Sequence, residues 1–447
     1  MPRFLLSAAT AGLVFACVSL PAQAATDIQW WHAMNGKRGT ILEEMAQEFN
    51  RSQEDYRVIT SFRGAGNKAV TKAIEAIRGD GQPHILQVPD AGTGTMMQND
   101  EDIIYPLHEL MEEHGEPLDT EAFLPAIVAY YRDAQGRMPT FPLNVSTPIM
   151  YYNRDVFKEA ELDPDEPPTT WYGVAQAATA ITNSGAAECG FTAAKPSWTL
   201  LENLSAVHNL ALATQQNGFG GLDAKLEFNN ETVARHWDNL HIWQGSDVFR
   251  WSGADEGSNA EPMFYAQACA MLLGSSAARA DVANNASFDV GYARQPYYDD
   301  VEGAPQNAIL GGSSLWVMRG HSDAEYDAVA AFFDYLSKPG VQAKWHQKTG
   351  YLPITQAARK QGEEQGFYKA NPGASVAFEQ LTQKPPTDNA RGTRLGNFME
   401  IRQVIIEEMK AVMDGDKNGE EATDDAVSRG NQLLRDFEAD NAEADNA

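Results

Sequence analysis

The feature that constrains this fold most is the alternation of strand and helix patterns near the start of the chain. Apolar and β-branched residues predict strands at 28–31, 56–62 and 84–88. Between these strands, apolar residues at helical spacing predict helices over 40–50 and 68–78. Because strands joined through helices usually lie side by side, the pattern predicts an α/β architecture with largely parallel sheets.

The pattern changes in the segment 139–153, where the chain shows no helical period. Pro139, Pro142 and Pro148 stiffen this segment, which leads into a predicted strand at 149–152. We therefore expect the chain to cross here from one lobe to another. Further strands are predicted at 268–273 and 314–318, and further helices at 169–182, 198–213, 231–244, 323–336, 340–348, 375–383, 397–413 and 421–437.

Residues 1–24 have the order of a secretory signal peptide. Arg3 supplies a positive charge, residues 4–20 are apolar or small, and Ala22-Gln23-Ala24 provides the small residues of a cleavage site. An uncleaved membrane anchor and a lipoprotein attached through Cys17 are the alternatives. The signal peptide predicts export to the periplasm. No later apolar run approaches the length of a membrane span, so we expect the mature chain to leave the membrane.

The length of the remaining chain favours two lobes. Removing the signal peptide leaves roughly 420 residues, whereas a domain typically holds about 100–200. The predicted division is 25–143 with 309–350 for the first lobe and 144–308 with 351–437 for the second. Residues 438–447 are acidic and poor in apolar side chains, so we predict a flexible tail there.

The charge balance narrows the class of partner. The chain has 34 basic and 62 acidic residues, which disfavours nucleic acid, because phosphate backbones are bound by a basic face. It also disfavours adhesion to anionic lipid. A cationic pocket remains compatible with this surface, since solvent and salt screen charges beyond about 10 Å.

The cysteines predict one disulfide and no metal site. After removal of the signal peptide, Cys189 and Cys269 form an even pair in an oxidising compartment, with two buried free thiols as the alternative. The chain contains no H-E-x-x-H or C-x-x-C motif and no zinc-like spacing of cysteine and histidine. We therefore expect neither a metal nor a cofactor.

Several blocks of sequence carry a family likeness. Residues 151–160 (YYNRDVFKEA), followed by LDP at 162–164 and PPTTW at 167–171, resemble the lobe-crossing region of large extracellular solute-binding proteins, which include maltose-binding protein. Other blocks resemble the branch of that family that binds glycerol 3-phosphate: 31–32, 85–88, 92–97, 201–203, 304–309, 345–355, 394–397 and 429–434. The likeness extends over nearly the whole mature chain.

This resemblance implies the two-lobe fold of periplasmic binding proteins. A ligand would lie in the cleft between the lobes, which are joined by crossing segments. It also implies a monomeric binding protein and an ABC importer as partner, with two permease and two ATPase subunits. The expected ligand is sn-glycerol 3-phosphate or a glycerophosphodiester such as glycerophosphocholine.

The resemblance points first to Arg402 as the residue that binds phosphate. A guanidinium can replace the hydration shell of a small anion with directed hydrogen bonds. Ser146, Ser275 and Gly312 resemble other ligand positions, where strands begin or end in small residues that let a ligand approach. Without the resemblance, the sequence favours ordinary structural roles for these residues. Arg402 would be an exposed helical arginine paired with a nearby carboxylate. Ser275 and Gly312 would be turn residues, and Ser146 would be a helix or strand cap.

Two more positions resemble groups that reach the ligand. Tyr351 matches a family tyrosine, although it also fits a core tyrosine whose hydroxyl reaches the surface. Asp90 stands where the family has a glutamate that accepts from the glycerol hydroxyls, so its reach is one methylene shorter. A turn carboxylate that follows a strand is the alternative reading of Asp90.

The chain departs from the family pattern in two places. Gly66 replaces a tyrosine, and Asn67 or Lys68 are the nearby residues that would compensate for it. Lys195 replaces a tryptophan near the ligand, whereas the following tryptophan is retained as Trp198. Lys195 would either add a cation to the phosphate site or point into solvent.

Together these changes predict room for a larger ligand. The quaternary ammonium of a choline group seeks an aromatic face, for which Trp31, Trp198 and Tyr351 are candidates. Aromatic residues in such numbers are usually part of the core.

Two other functions are the alternatives. A secreted phosphodiesterase would need a nucleophile with a base or a metal cluster, and the chain has no G-x-S-x-G motif. A binder of a neutral sugar or polyol with the same fold is the closer alternative. Arg402 separates the two binding functions, because a neutral sugar does not require a guanidinium.

Overall fold

The computed structural model describes residues 24–66, 68–77, 79, 81–98, 103–254 and 259–444. The predicted signal peptide, apart from Ala24, and Asn67 lie outside the described residues.

Eleven strands form two sheets. The strands are β1 Thr26–His32, β2 Tyr56–Phe62, β3 Ile85–Pro89, β4 Ile104–Tyr105, β5 Phe141–Ser146, β6 Pro148–Asn153, β7 Cys189–Ala193, β8 Phe249–Arg250, β9 Cys269–Ser275, β10 Val290–Ala293 and β11 Gly311–Met318 in the described part of the chain.

Helices connect and cover these strands. They are α1 Gly36–Ser52, α2 Lys68–Ile77, α3 Thr93–Gln98, α4 Leu107–His114, α5 Pro125–Tyr131, α6 Arg154–Glu159, α7 Trp171–Ser184, α8 Asn203–Val207, α9 Thr214–Gly218, α10 Glu231–Gln244, α11 Ala260–Tyr265, α12 Arg279–Asn285, α13 Asp323–Ser337, α14 Pro339–Thr349, α15 Gln356–Glu364, α16 Phe367–Ala370, α17 Val376–Leu381, α18 Phe398–Asp414 and α19 Gly419–Ala444. Short 3₁₀ turns lie at Asp90–Gly92, Thr120–Ala122, Ser276–Ala278 and Pro372–Ala374, and a π turn lies at Trp198–Glu202.

The first sheet has the order β2-β1-β3-β11-β4, and β5 pairs with β11. The second has the order β10-β6-β9-β7-β8. The α/β class is confirmed, but the prediction of largely parallel sheets is wrong. Five of the described strand pairings are antiparallel and four are parallel.

Chain crossings between the sheets explain this mixture. Strands joined by helices within one sheet, such as β1 with β2 and β3, run parallel. By contrast, β11 follows the strands of the second sheet along the chain and returns to the first sheet. It runs antiparallel to β3, β4 and β5. Hydrophobic periodicity identifies a strand but carries no information about the direction of its neighbour.

One crossing is short enough to bring the two sheets close together. β5 ends at Ser146 in the first sheet, and β6 begins at Pro148 in the second, so the buried Thr147 is the only residue between them. The Oγ1 of Thr147 accepts a hydrogen bond of 2.7 Å from Gln380. The exact division of the chain into lobes stays a prediction, and β5 extends the first sheet to Ser146.

Each sheet has its own aromatic core. On the first sheet, the ring of Phe332 lies 5.5 Å from Trp30 and 5.1 Å from Phe49. On the second, Trp171 and Phe191 are fully buried, with their rings 6.0 Å apart. α1 packs on the first sheet because its apolar residues recur at helical spacing and leave most of the charged ones exposed.

The helix predicted over 198–213 is wrong in its extent. It is replaced by the π turn and by α8, which ends at Val207. Asn209 has a φ of 56°, a left-handed conformation that an α-helix cannot continue through. Conversely, the last helix continues beyond its predicted end at Phe437 to Ala444. None of the described helices has the length and apolarity required to cross a membrane.

A disulfide joins Cys189 at the start of β7 to Cys269 at the start of β9. These cysteines are register partners in neighbouring parallel strands, and both are buried. The bond closes a chain segment with a sequence separation of 80 residues.

We expect the Cys189→Ser/Cys269→Ser double variant to unfold more easily by about 2–4 kcal/mol, because the open chain gains entropy when unfolded. Guanidinium denaturation of the oxidised wild type and the double variant measures this difference. Equal free energies of unfolding would contradict the prediction.

Candidate ligand-binding site

A cavity of about 340 Å³ lies where strands of both sheets end. All nine residues that the sequence placed at a ligand site line this cavity: Gly66, Asp90, Ser146, Lys195, Trp198, Ser275, Gly312, Tyr351 and Arg402. They come from widely separated parts of the chain, so the fold brings them together.

A chain of hydroxyl groups joins the two sheets at the cavity. Ser275, the last residue of β9, donates a 2.9 Å hydrogen bond through its Oγ to the Oγ of Ser146, the last residue of β5. Ser146 in turn donates to the carbonyl of Gly311 at 3.1 Å, and the N–H of Ala277 donates to Ser275 at 3.2 Å. The serine hydroxyls are therefore held by each other and by the backbone.

Two glycines let the backbone of β11 come close to its neighbours. Gly312 has a φ of 146°, and a Cβ atom there would collide with the carbonyl of Asn144 on β5. A Cβ at Gly311 would lie 2.7 Å from the indole ring of Trp198. Trp198 begins the π turn and is 4% exposed, so its ring forms a fixed wall of the cavity.

Asp90 follows β3 on a 3₁₀ turn and is buried. The hydroxyl of Tyr131 donates to its Oδ1 at 2.6 Å, whereas its Oδ2 is buried with no hydrogen-bond partner among the described residues. Burial raises the pKa of Asp90 to about 7, although the bond from Tyr131 and the charges of Arg402 and Lys195 oppose the rise. This carboxyl is thus poised to accept a hydrogen bond from a ligand.

Arg402 lies on α18 and meets a carboxylate in the cavity wall. Its Nε donates a 2.7 Å hydrogen bond to Oε1 of Glu202, and its Nη2 donates a 2.7 Å hydrogen bond to Oε2 of the same carboxylate. The side chain of Arg402 is 23% exposed, while that of Glu202 is 2% exposed. The pair is bidentate, which fixes the plane of the guanidinium.

Tyr351 and Arg38 form another part of the wall. Tyr351 stacks on Trp345 with ring centroids 5.8 Å apart, and the guanidinium of Arg38 lies 5.8 Å from its ring centroid. Burial raises the pKa of Tyr351, although nearby Arg38 opposes the rise, so its hydroxyl stays protonated at neutral pH. Arg38 also donates to Asp281 at 2.7 Å and to the carbonyl of Ala277 at 3.0 Å.

The two departures from the family pattern both occupy left-handed backbone conformations. Gly66 has a φ of 58°, which glycine adopts without strain, and Lys195 has a φ of 51°, which is uncommon for a lysine. The carbonyl of Lys195 accepts hydrogen bonds from Trp198 and Thr199 in the π turn. Lys195 is therefore positioned by the same backbone that positions Trp198.

The cavity has a balanced set of charges and many hydrogen-bonding groups. Arg38, Lys195 and Arg402 are its cations, and Asp90, Glu202 and Glu261 are its carboxyl groups. Such a wall suits a small polar ligand that carries both an anionic group and hydroxyl groups.

Sequence reasoning missed several polar residues of this wall. Arg38 resembles an ordinary helix residue in sequence. Glu202 lies in the block 201–203 that carries the family likeness, although nothing there indicates a role at the ligand. Gln87 did carry a signal, because it is a polar residue inside the apolar strand β3. Its Nε2 donates to Asn144 at 2.9 Å, and its Oε1 accepts from the N–H of Ala33 at 2.9 Å.

Trp31 does not belong to the cavity wall. It is 8% exposed on β1, and the guanidinium of Arg63 covers its ring at 3.9 Å. Of the three aromatic residues considered for a quaternary ammonium, only Trp198 and Tyr351 line the cavity.

His84, His321 and Glu325 form a cluster with metal-ligand chemistry elsewhere on the first sheet. One ligand atom from each lies within 4.8 Å of the others. However, the Nδ1 of His84 accepts a 3.0 Å hydrogen bond from the N–H of Gln29, so the neutral ring carries its proton on Nε2. That nitrogen faces Glu325 at 3.2 Å, an arrangement that suits a hydrogen bond rather than a metal ion.

The chain is similar to a known family and to known proteins over most of its length. Residues 44–375 match the family described as bacterial extracellular solute-binding protein. The chain is 42% identical over 431 residues to the sn-glycerol-3-phosphate-binding periplasmic protein UgpB of Pectobacterium atrosepticum, covering 96% of each chain. It is 43% identical over 418 residues to the protein of the same name from Escherichia coli, covering 93% of this chain and 94% of the relative.

Solved structures show the same fold. UgpB from Mycobacterium tuberculosis in complex with glycerophosphocholine aligns with a TM-score of 0.76 at 20% identity, covering 93% of this chain and all of that one. The cyclic α-maltosyl-1,6-maltose binding protein from Arthrobacter globiformis aligns with a TM-score of 0.74 at 20% identity, covering 92% of this chain and all of that one. The two-lobe α/β architecture of binding proteins is thereby confirmed.

The raised pKa of Asp90 predicts a pH-dependent stability. Between its unfolded value of about 4 and its folded value of about 7, the native protein binds the extra proton, so stability falls as pH rises through this window. The ligand-free wild type should lose up to about 3 kcal/mol from this group between about pH 5 and pH 8. Asp90→Asn should lack this loss.

Denaturation of both proteins at the two pH values measures the difference, and the Asn variant should gain on the wild type at the higher pH. Asp55→Asn, at an exposed position, is the matched control. A difference between wild type and Asp90→Asn that does not change with pH would count against the prediction.

Proposed function

The chain belongs to the bacterial extracellular solute-binding proteins, and from this premise we propose that it captures sn-glycerol 3-phosphate or a glycerophosphodiester and delivers it to an ABC importer. The observation that carries the proposal is that Arg402 lines the same cavity as Ser275 and Tyr351. The guanidinium supplies charge. The hydroxyls of Ser275 and Tyr351 supply directed hydrogen bonds for a phosphate, and that of Ser275 would turn from Ser146 to the ligand on binding.

The relatives support a phosphorylated glycerol as the ligand. Relatives that are 42% and 43% identical over nearly the full chain are named as sn-glycerol-3-phosphate-binding proteins. In this chain, the phosphate would lie against Arg402 and the serine hydroxyls. The unpartnered Oδ2 of Asp90 would accept a hydrogen bond from a glycerol hydroxyl.

A glycerophosphodiester such as glycerophosphocholine is the second ligand we propose. Gly66 leaves space where the family pattern has a tyrosine ring, and Gly66 lines the cavity. A structural neighbour was solved with glycerophosphocholine, and Trp198 and Tyr351 offer aromatic surface to a quaternary ammonium.

Delivery requires that the lobes open and close around the ligand. Arg38 on α1, beside the first sheet, pairs with Asp281 on α12, which follows β9 of the second sheet. The N–H of Asn397, which precedes α18, donates to Thr95 on α3 at 3.1 Å. Ligand contacts on both sides would favour the closed form, which would dock on two permease and two ATPase subunits.

This role also implies where the protein acts and that it binds its ligand without catalysing a reaction. The protein would act in the periplasm, after cleavage of residues 1–24, as a monomer without cofactor and without catalysing a reaction. The relatives named as periplasmic binding proteins support this compartment.

A binder of a neutral sugar or polyol is the alternative, and a structural neighbour binds a cyclic maltose derivative. A secreted phosphodiesterase is the less favoured alternative. The hydroxyls of Ser146 and Ser275 bond to each other and to backbone groups rather than to a general base. Binding of glycerol 3-phosphate in preference to maltose separates the proposal from the sugar binder.

Arg402→Ala should weaken the binding of glycerol 3-phosphate by at least about 2 kcal/mol, because a charged partner of the phosphate is lost. Isothermal titration calorimetry at fixed pH and salt measures the affinity. Arg57→Ala is the control, since Arg57 is an exposed arginine paired with Asp27 away from the cavity. A folded Arg402→Ala protein with unchanged affinity would refute the role of this residue.

Gly66→Tyr should shift the preference from glycerophosphocholine towards glycerol 3-phosphate, because the ring fills the space beside the ligand. The left-handed φ of 58° makes any side chain costly at this position, so Gly66→Ala serves as the backbone control. Calorimetry with both ligands gives the ratio of affinities for each variant. The idea fails if Tyr and Ala leave this ratio equally unchanged.

A further inference from the structure

Glu202 is a buried carboxylate beside the arginine assigned to the phosphate. Its side chain is 2% exposed, and both of its oxygens accept hydrogen bonds of 2.7 Å from Arg402. A carboxylate withdrawn from water to this degree is costly unless it is paired. The hydrogen bonds from Arg402 offset this cost. The carboxylate can affect the arginine in two ways: it can orient the guanidinium, and it can reduce the net charge of the pair.

Local backbone geometry directs Glu202 towards the cavity. It is the last residue of the π turn that begins at Trp198, and the side chain of Asn203 donates to the carbonyl of Trp198 at 3.1 Å. π turns are rare, and they recur at functional sites because they redirect side chains within a helical path. Trp198 and Glu202, at the two ends of this turn, both line the cavity.

The pair alters the charge that a bound phosphate would meet. A lone guanidinium would attract a doubly charged phosphate monoester about twice as strongly as a singly charged diester. With Glu202 bound along one edge of Arg402, the pair has no net charge. The guanidinium still offers directed hydrogen bonds, but its preference for the higher charge is reduced.

We propose that Glu202 is a specificity-determining residue, which neutralises Arg402 so that the cleft accepts singly charged phosphodiesters alongside doubly charged phosphate monoesters. This inference rests on the proposed function, because it assumes that Arg402 meets the phosphate. Glu202 acts through Arg402 and is not assigned a contact with the ligand.

The test compares sn-glycerol 3-phosphate with its methyl phosphodiester, which keeps the glycerol phosphate and differs by one methyl group and one negative charge. Titration calorimetry above the second pKa of the monoester, which is about 6, gives both affinities for each protein. In the wild type, the two affinities should differ by less than about tenfold. In Glu202→Gln, the ratio should shift by about tenfold or more towards glycerol 3-phosphate.

Two variants serve as controls. Glu202→Asp keeps the charge and should keep a ratio close to that of the wild type. Glu407→Gln removes the same charge from an exposed position on α18, where Glu407 pairs with Arg429, and it should leave the ratio unchanged. Thermal unfolding shows whether each variant is folded.

The outcomes separate this inference from the proposed function. A folded Glu202→Gln protein with the ratio of the wild type overturns the inference alone, and so does equal weakening of both ligands, which would mark an orienting role only. If Glu202→Gln does not fold, Lys195→Gln decides in its place, because a preference of about a hundredfold for the monoester that persists without this second cation contradicts a neutralised arginine. A wild type that binds neither compound contradicts both the inference and the proposed function.

Discussion

The ion pair between Arg402 and Glu202 is the interaction on which the site depends. It joins α18 to the end of the π turn, and it brings a guanidinium to a wall that also contains Ser275 and Tyr351. The carboxylate is almost completely buried, so the pair is stable only while both partners remain. The same contact therefore contributes to the packing of the second sheet's helices and to the electrostatics of the cavity.

Around this pair, the fold supplies groups that suit an anion with hydroxyls. Short chain crossings place the ends of β5 and β9 together, which allows Ser275 to donate to Ser146. Gly311 and Gly312 let the backbone of β11 approach Trp198 and β5. Asp90 keeps one carboxyl oxygen without a hydrogen-bond partner among the described residues, and burial raises its pKa to about 7. Fixed donors, fixed walls and an available acceptor explain how a small polar ligand can be held without covalent chemistry.

Much of the fold was predictable because the signals are local. The strand at 56–62 and the helix at 231–244 have the predicted bounds, since apolar periodicity and capping residues such as Asn230 act within a few positions. The helix over 198–213 was wrong because a π turn and the left-handed Asn209 interrupt it. Both interruptions depend on contacts that periodicity does not describe. Strand direction also escaped prediction, since the pairing of β11 with β3 joins distant parts of the chain.

The sequence by itself determined the α/β class and, through its family likeness, nine of the positions that line the cavity. Only the tertiary structure decided their partners. Arg402 and Glu202 lie 200 positions apart, and no local pattern indicates that one neutralises the other. The physical reason is that residue type and spacing specify which groups a chain can offer. Burial and long-range packing decide which of those groups meet, and they thereby set the charge and protonation that a ligand encounters.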